Sequence, residues 1–76
     1  MNKERRTRIT ALIQHLQASH ADLEEIRDEE QEAFDNLHEN FQAGETGEKM
    51  QESINTMDEA VSNLDDAITT LENMEN

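Results

Sequence analysis

From Ile9 onward, apolar side chains return every three or four residues, the period that gathers them on one face of an α-helix. With Ile9 at position a of a heptad, Ile9, Leu16, Leu23 and Leu37 occupy a, Leu12, Ile26 and Ala33 occupy d, and Ile13 and Phe34 occupy e. Ser19 at d and Glu30 at a interrupt this first run. A second run is unbroken: Met50, Ile54, Met57, Val61, Leu64, Ile68 and Leu71 follow at steps of four and three, flanked at g by Ala60, Ala67 and Met74. Stripes about three positions wide per heptad suit a core-facing helix of a bundle better than a strict two-stranded seam. No proline interrupts either run and no strand-like alternation occurs, so the chain is predicted to be all-α.

The segment Asn36 to Gly47 separates the two runs. Gly44 is expected to stop the preceding helical turn by adopting positive φ. Thr46 is the expected N-cap of the second helix, and Glu48 in its first turn complements the helix dipole. So short a connection makes the helices antiparallel neighbours. The expected organisation is a single domain over 1–76: a helix over 3–36, a turn with a short helix over 37–46, and a helix over 47–74. A lone hairpin of this kind leaves one side of each wide stripe wet. Two hairpins packed face to face would cover both, so the expected assembly is a coiled-coil-like hairpin that dimerises into a four-helix bundle. The core or oligomer face comprises Ile9, Leu12, Ile13, Leu16, Leu23, Ile26, Phe34 and Leu37 with the seven residues of the second stripe.

Composition alone points the other way. Only 33% of residues are hydrophobic and 33% are charged, Phe34 and Phe41 are the only aromatics, and there is no cysteine. Such chains approach the disordered class, and here the periodicity is what rescues a fold. The absence of cysteine excludes disulfides, thiolate metal sites and cysteine nucleophiles. The basic start, Lys3-Glu4-Arg5-Arg6, leads into an amphipathic pattern and not a continuous apolar stretch, so neither a signal peptide nor a membrane span is expected, and the expected location is cytoplasmic.

Net charge is −13. Lys3, Arg5, Arg6 and Arg8 stand in the first eight residues, and from residue 9 onward only Arg27 and Lys49 oppose 18 acidic side chains. A surface of this sign repels nucleic acid and anionic membrane and attracts basic partners. The antiparallel hairpin is expected to place the four early bases beside Asp65, Asp66, Glu72 and Glu75, where pairing within the chain would occupy them. Between Asp22 and Glu39 nine acids (Asp22, Glu24, Glu25, Asp28, Glu29, Glu30, Glu32, Asp35 and Glu39) face one base in 18 residues. Helical rise makes that one negative charge every ~3 Å, against one per ~1.7 Å on duplex DNA. On the second helix Asp58, Asp65 and Glu72 form one row, with Glu52, Glu59 and Asp66 beside it. Rigid carboxylate rows can occupy a cationic groove built for phosphate, whereas the commoner meaning of such runs is a solvated face that keeps a small protein soluble.

Catalytic and metal chemistry find little support. His15 and His20 are five apart and do not share a face, and Asp35-Asn36-Leu37-His38 has the spacing of a bundle metal motif with the wrong acid. No EF-hand loop, phosphate-binding glycine loop or His-Glu-x-x-His is present. A two-helix hairpin has no pocket in which to enclose a nucleophile and its base. No cofactor, catalytic residue or metal ligand is therefore assigned. Glu30, at a core-type position, is expected to reach solvent or to pair with Arg27.

The stretch Glu29-Glu30-Gln31-Glu32-Ala33-Phe34-Asp35-Asn36-Leu37, followed by Glu45-Thr46-Gly47-Glu48-Lys49-Met50-Gln51-Glu52, resembles short acidic helical-hairpin proteins of phages, prophages and other bacterial mobile elements, most without an assigned function. The likeness continues through Met57-Asp58-Glu59-Ala60 and Leu64-Asp65-Asp66-Ala67-Ile68 and covers about two thirds of the chain. Members of that group often carry proline where this chain has His38. The resemblance implies a bacterial cytoplasm and an accessory role; phage proteins of this size include inhibitors of host restriction, CRISPR and nucleoid proteins, some of which imitate DNA. It transfers no functional residue. The expected function is a non-enzymatic acidic interaction protein, a stoichiometric inhibitor or DNA mimic that blocks a basic nucleic-acid-binding protein without touching nucleic acid itself. The alternative is a structural or assembly adaptor that binds through its apolar stripes.

Overall fold

A computed structural model describes residues 1–74 with their side chains, and the backbone of Glu75. The molecule is a rod of 58 × 14 × 14 Å built from helices alone among the described residues. Helix α1 spans Lys3–Asp35, the single turn α2 spans Glu39–Gln42, and α3 spans Glu45–Glu75. Helices α1 and α3 pack side by side in opposite directions. Arg27 meets Asp58 and, seven residues earlier on α1, His20 meets Asp65, seven residues later on α3.

Local chemistry sets each boundary. The Asn2 side chain accepts a hydrogen bond from the Arg5 amide at 2.8 Å and so caps α1. At the other end the Asn36 amide donates to the Glu32 carbonyl, and the Gln42 side chain donates to the Phe34 carbonyl at 3.0 Å, satisfying groups that a helix end leaves open. His38, at φ −59° and ψ 145°, leaves the helix and caps α2 by accepting from the Asn40 amide through Nδ1. Its ring also meets Phe41 edge-on, with centroids 6.5 Å apart.

The entry to α3 differs from expectation. The helix begins at Glu45, two residues early, because the Gly44 carbonyl already accepts from the Glu48 amide at 3.0 Å. Thr46 therefore lies inside the first turn and is not the N-cap. Gly44 is not at positive φ, so its role as a left-handed stop is also corrected. The glycine that matters is Gly47, which is buried. A Cβ there would overlap the Gln42 carbonyl oxygen and stand 2.6 Å from Gln42 Cα, so the backbone of α2 rests directly on α3.

The seam of α3 follows its sequence stripe. Ile54 and Ile68 are buried and Met50, Met57, Val61, Leu64 and Leu71 are half-buried. That of α1 is rotated from the expected one. Its inward residues are Ile9, Ile13, Leu16, His20, Leu23, Arg27, Phe34 and Leu37, positions a and e, with only Ile13 fully buried. Leu12 and Ile26, assigned to the core face from sequence, are 48% and 53% exposed, and Ser19 and Ala33 are exposed as well. Turning α1 to bury its d positions would bring in Ser19 and Ala33, expel Phe34, and pull His20 and Arg27 away from Asp65 and Asp58. The a/e phase covers more apolar area at the ends of the seam and gives the two polar side chains at its middle, His20 and Arg27, their carboxylate partners.

Candidate interaction surface

The most structured polar feature runs along one flank of the seam. Arg27, its side chain 28% exposed, donates through Nε to Asp58 at 2.8 Å, and its terminal nitrogens reach Asp28 and Gln31 at 3.4 Å. Gln31 in turn donates to Asp35 at 2.9 Å. The hydrogen bond to Asp58 raises the Arg27 pKa above its ordinary value, with desolvation acting against it and the Asp58 and Asp28 charges adding to it. This pair contributes below the unfolded-state pKa of arginine and is lost only as pH climbs through the higher folded value, so it persists across the whole neutral range. His20 sits with Nδ1 2.8 Å from Glu24 and Nε2 2.8 Å from Asp65. The Nε2 contact is close but makes no hydrogen bond.

This ladder was open to sequence reasoning. His20 and Arg27 are one heptad apart, as are Asp58 and Asp65, and His20 and Arg27 continue the four-and-three alternation of Ile13 and Phe34. A hydrophobic pattern does not register them, because they are the polar members of an apolar stripe. Glu30 neither reaches full exposure nor pairs with Arg27, which is taken by Asp58. It is half-buried at an open groove of ≈ 810 Å³ that Lys49, Glu52, Ser53, Thr56 and Met57 also line.

The basic start reaches the end of α3, where Met1, Arg6 and Ile9 share a hollow with Met74, but not the acids expected to pair with it. In both cross-helix pairs the residue numbers add to 85, so residue 10 stands level with Glu75, and residues 3–8 extend past the described part of α3. Among the described residues no ion pair involves Lys3, Arg5, Arg6 or Arg8. Asp65 is engaged by His20 instead, Asp66 and Glu72 have no cationic partner among the described residues, and the side chain of Glu75 lies outside them. Met1, Arg5, Arg8, Ile9 and Leu12 border a shallow hollow of ≈ 400 Å³ at this end.

All fourteen acids assigned to the interaction surface are exposed. Asp58, Asp65, Glu24 and Asp28 are engaged by Arg27 and His20, and Asp35 by Gln31. On α1, Asp22, Glu25, Glu29 and Glu32 have no partner among the described residues; nor do Glu52, Glu59, Asp66 and Glu72 on α3, and Glu39 on α2. The row Asp58, Asp65 and Glu72 is thus a structural ladder in its first two members and an open carboxylate only in its third. Among the described residues no three His, Asp or Glu side chains converge as a metal site, and no helix is long and apolar enough to cross a membrane.

Compared with known protein families, curated proteins and solved structures, the chain finds no match.

Proposed function

We propose that this protein is a non-enzymatic interaction module that binds a basic protein stoichiometrically, in the form of a DNA mimic that occupies a nucleic-acid-binding groove. The observation that carries this reading is the nine acids without a partner among the described residues, eight of them spread along the two long helices of a rod and the ninth, Glu39, at its turn. Carboxylates fixed on rigid helices lose little entropy when a cationic groove closes on them, and the field of a −13 chain steers such a partner inward. Two copies, as a four-helix bundle in a bacterial cytoplasm, would double that field.

Affinity capture from a bacterial lysate at about 50 mM salt tests the reading. Proteins held through the carboxylates elute at about 300 mM salt and are displaced by duplex DNA. Retention that neither salt nor DNA disturbs overturns the proposal. A second reading, an assembly adaptor, is favoured by the apolar side chains left outside the seam, Leu12, Ile26 and Met74. It expects salt-insensitive binding that is lost in Ile26→Asp, a change that leaves the seam intact.

A further inference from the structure

Cross-helix pairing divides the hairpin into two unlike sides. On α3, Asp58 and Asp65 each follow a seam residue (Met57 and Leu64) by one position, whereas Ala60 and Ala67 each precede one (Val61 and Ile68). One residue turns a helix by about 100°, so these pairs flank the seam on opposite sides. The same holds on α1, where Glu24 follows Leu23, while Leu12 precedes Ile13 and Ile26 precedes Arg27. In an antiparallel pair the two "following" flanks fall on the same side, as the Arg27–Asp58 and His20–Asp65 contacts require. Opposite that polar side lies a second face made of two heptad rows.

The rows are Leu12, Ser19, Ile26 and Ala33 on α1, and Ser53, Ala60, Ala67 and Met74 on α3. Every one of these residues is exposed except Ala60, which is half-buried. By the register of the ion pairs they form four rungs: Leu12 beside Met74, Ser19 beside Ala67, Ile26 beside Ala60, and Ala33 beside Ser53. Bulk alternates along the ladder. The Leu12–Met74 and Ile26–Ala60 rungs carry a large side chain, and the Ser19–Ala67 and Ala33–Ser53 rungs carry none.

We infer that this face is the contact with a second copy of the chain, laid antiparallel across it. It deepens the functional reading above and rests on that reading's expectation of two associated copies. A twofold axis through the middle of the face sets Leu12 and Met74 of one copy against Ala33 and Ser53 of the other, and Ile26 and Ala60 against Ser19 and Ala67. Each large side chain then meets small ones, as close helix packing requires. A parallel twofold, which crosses α1 over the α3 of the other copy, would stack Leu12 on Met74 and Ser19 on Ala67, crowding one rung and leaving voids at the small ones.

Charge selects the same orientation. The antiparallel twofold brings Lys3, Arg5, Arg6 and Arg8, which have no ion pair among the described residues, over the turn end of the other copy. There Glu32, Glu39 and Glu48 are exposed and without a cationic partner. A parallel dimer would set base on base at one end and acid on acid at the other. Area agrees. The chain exposes 5714 Å² at 8.8 kDa, where a folded monomer of that mass exposes about 4,800 Å². The excess of about 900 Å², a consequence of the rod shape, leaves room for the ~800 Å² that each partner buries in a standard interface.

Because the chain has no cysteine, single cysteines report the arrangement directly. Ser19→Cys and Ile26→Cys proteins, mixed in equal amounts and oxidised gently, should give mainly the mixed 19–26 disulfide, which mass spectrometry separates from the two symmetric products. Sedimentation equilibrium on the unmodified protein should return twice 8.8 kDa at micromolar concentration. Ile26→Glu should weaken the dimer by about 30-fold or more while leaving the helical circular dichroism of the hairpin in place. Predominant 19–19 and 26–26 disulfides from a dimer of the correct mass overturn the antiparallel arrangement alone. A mass of 8.8 kDa throughout overturns the association itself, and with it the dimeric part of the functional reading, while leaving salt-sensitive partner binding to stand or fall by its own test.

Discussion

Gly47 and Gly44 differ by three positions and by nearly everything else. At Gly47 a methyl group would collide with the Gln42 backbone, which cannot swing aside as a flexible side chain can, whereas at Gly44 the nearest atom to a new Cβ is the Asn40 carbonyl oxygen at 3.4 Å. Gly47→Ala should therefore destabilise the hairpin by about 1–3 kcal/mol through overpacking, and Gly44→Ala by well under ~1 kcal/mol. Thermal melts followed by circular dichroism compare them, and equal melting temperatures would refute the close contact. His38 makes the opposite case. Its φ of −59° is one that proline adopts without strain, and no hydrogen bond is donated by its amide. His38→Pro should stay within ~1 kcal/mol of the parent, the stiffer unfolded chain offsetting the lost cap to Asn40. A collapse of the melting transition would show that Leu37 cannot accommodate the ring.

Packing of the two long helices is held in register by polar side chains where a seam would ordinarily carry leucine. His20 and Arg27 each reach a specific aspartate, so sliding α1 by a heptad would set Arg27 against Gln51 in one direction and leave Asp58 beside Phe34 in the other. Register bought with partly buried charge is paid in stability, because apolar residues at such sites are often neutral or better. The double variant His20→Leu, Arg27→Leu should thus melt at or above the parent temperature, while Asp58→Ala alone should lower it slightly by leaving Arg27 without its main acceptor. If the double variant melted far lower, the seam would depend on these ions for cohesion and not for alignment. The a/e phase of α1 has the same origin: His20 and Arg27 needed their carboxylates, and Leu12 and Ile26 were left outside.

Taken together, the side chains repel one another. With a charge of −13 on a rod 14 Å across, most carboxylates lie within a Debye length of another at low salt. Raising salt from about 50 mM to about 500 mM should raise the melting temperature, since screening relieves self-repulsion more than it weakens a few exposed ion pairs. A melting temperature that falls with salt would mean that the ion ladder outweighs the repulsion. The same charge underlies the proposed partner class, so the salt that stabilises the protein alone should release its partner.

Helical class, the two long segments and the break between them were legible from the residues, because period and punctuation are local properties of a chain. The stripe of α3 could be read completely for the same reason, being unbroken. The phase of α1 could not. Its a/d and a/e stripes carry comparable apolar content, and the choice between them depended on where Asp58 and Asp65 came to stand, 31 and 45 residues away. Likewise the position of the basic start followed from a register that only cross-helix contacts define, and the importance of Gly47 from a neighbouring backbone that no local pattern announces. Periodicity says that a face is apolar; which of two such faces is covered by the chain itself is settled when the second helix arrives.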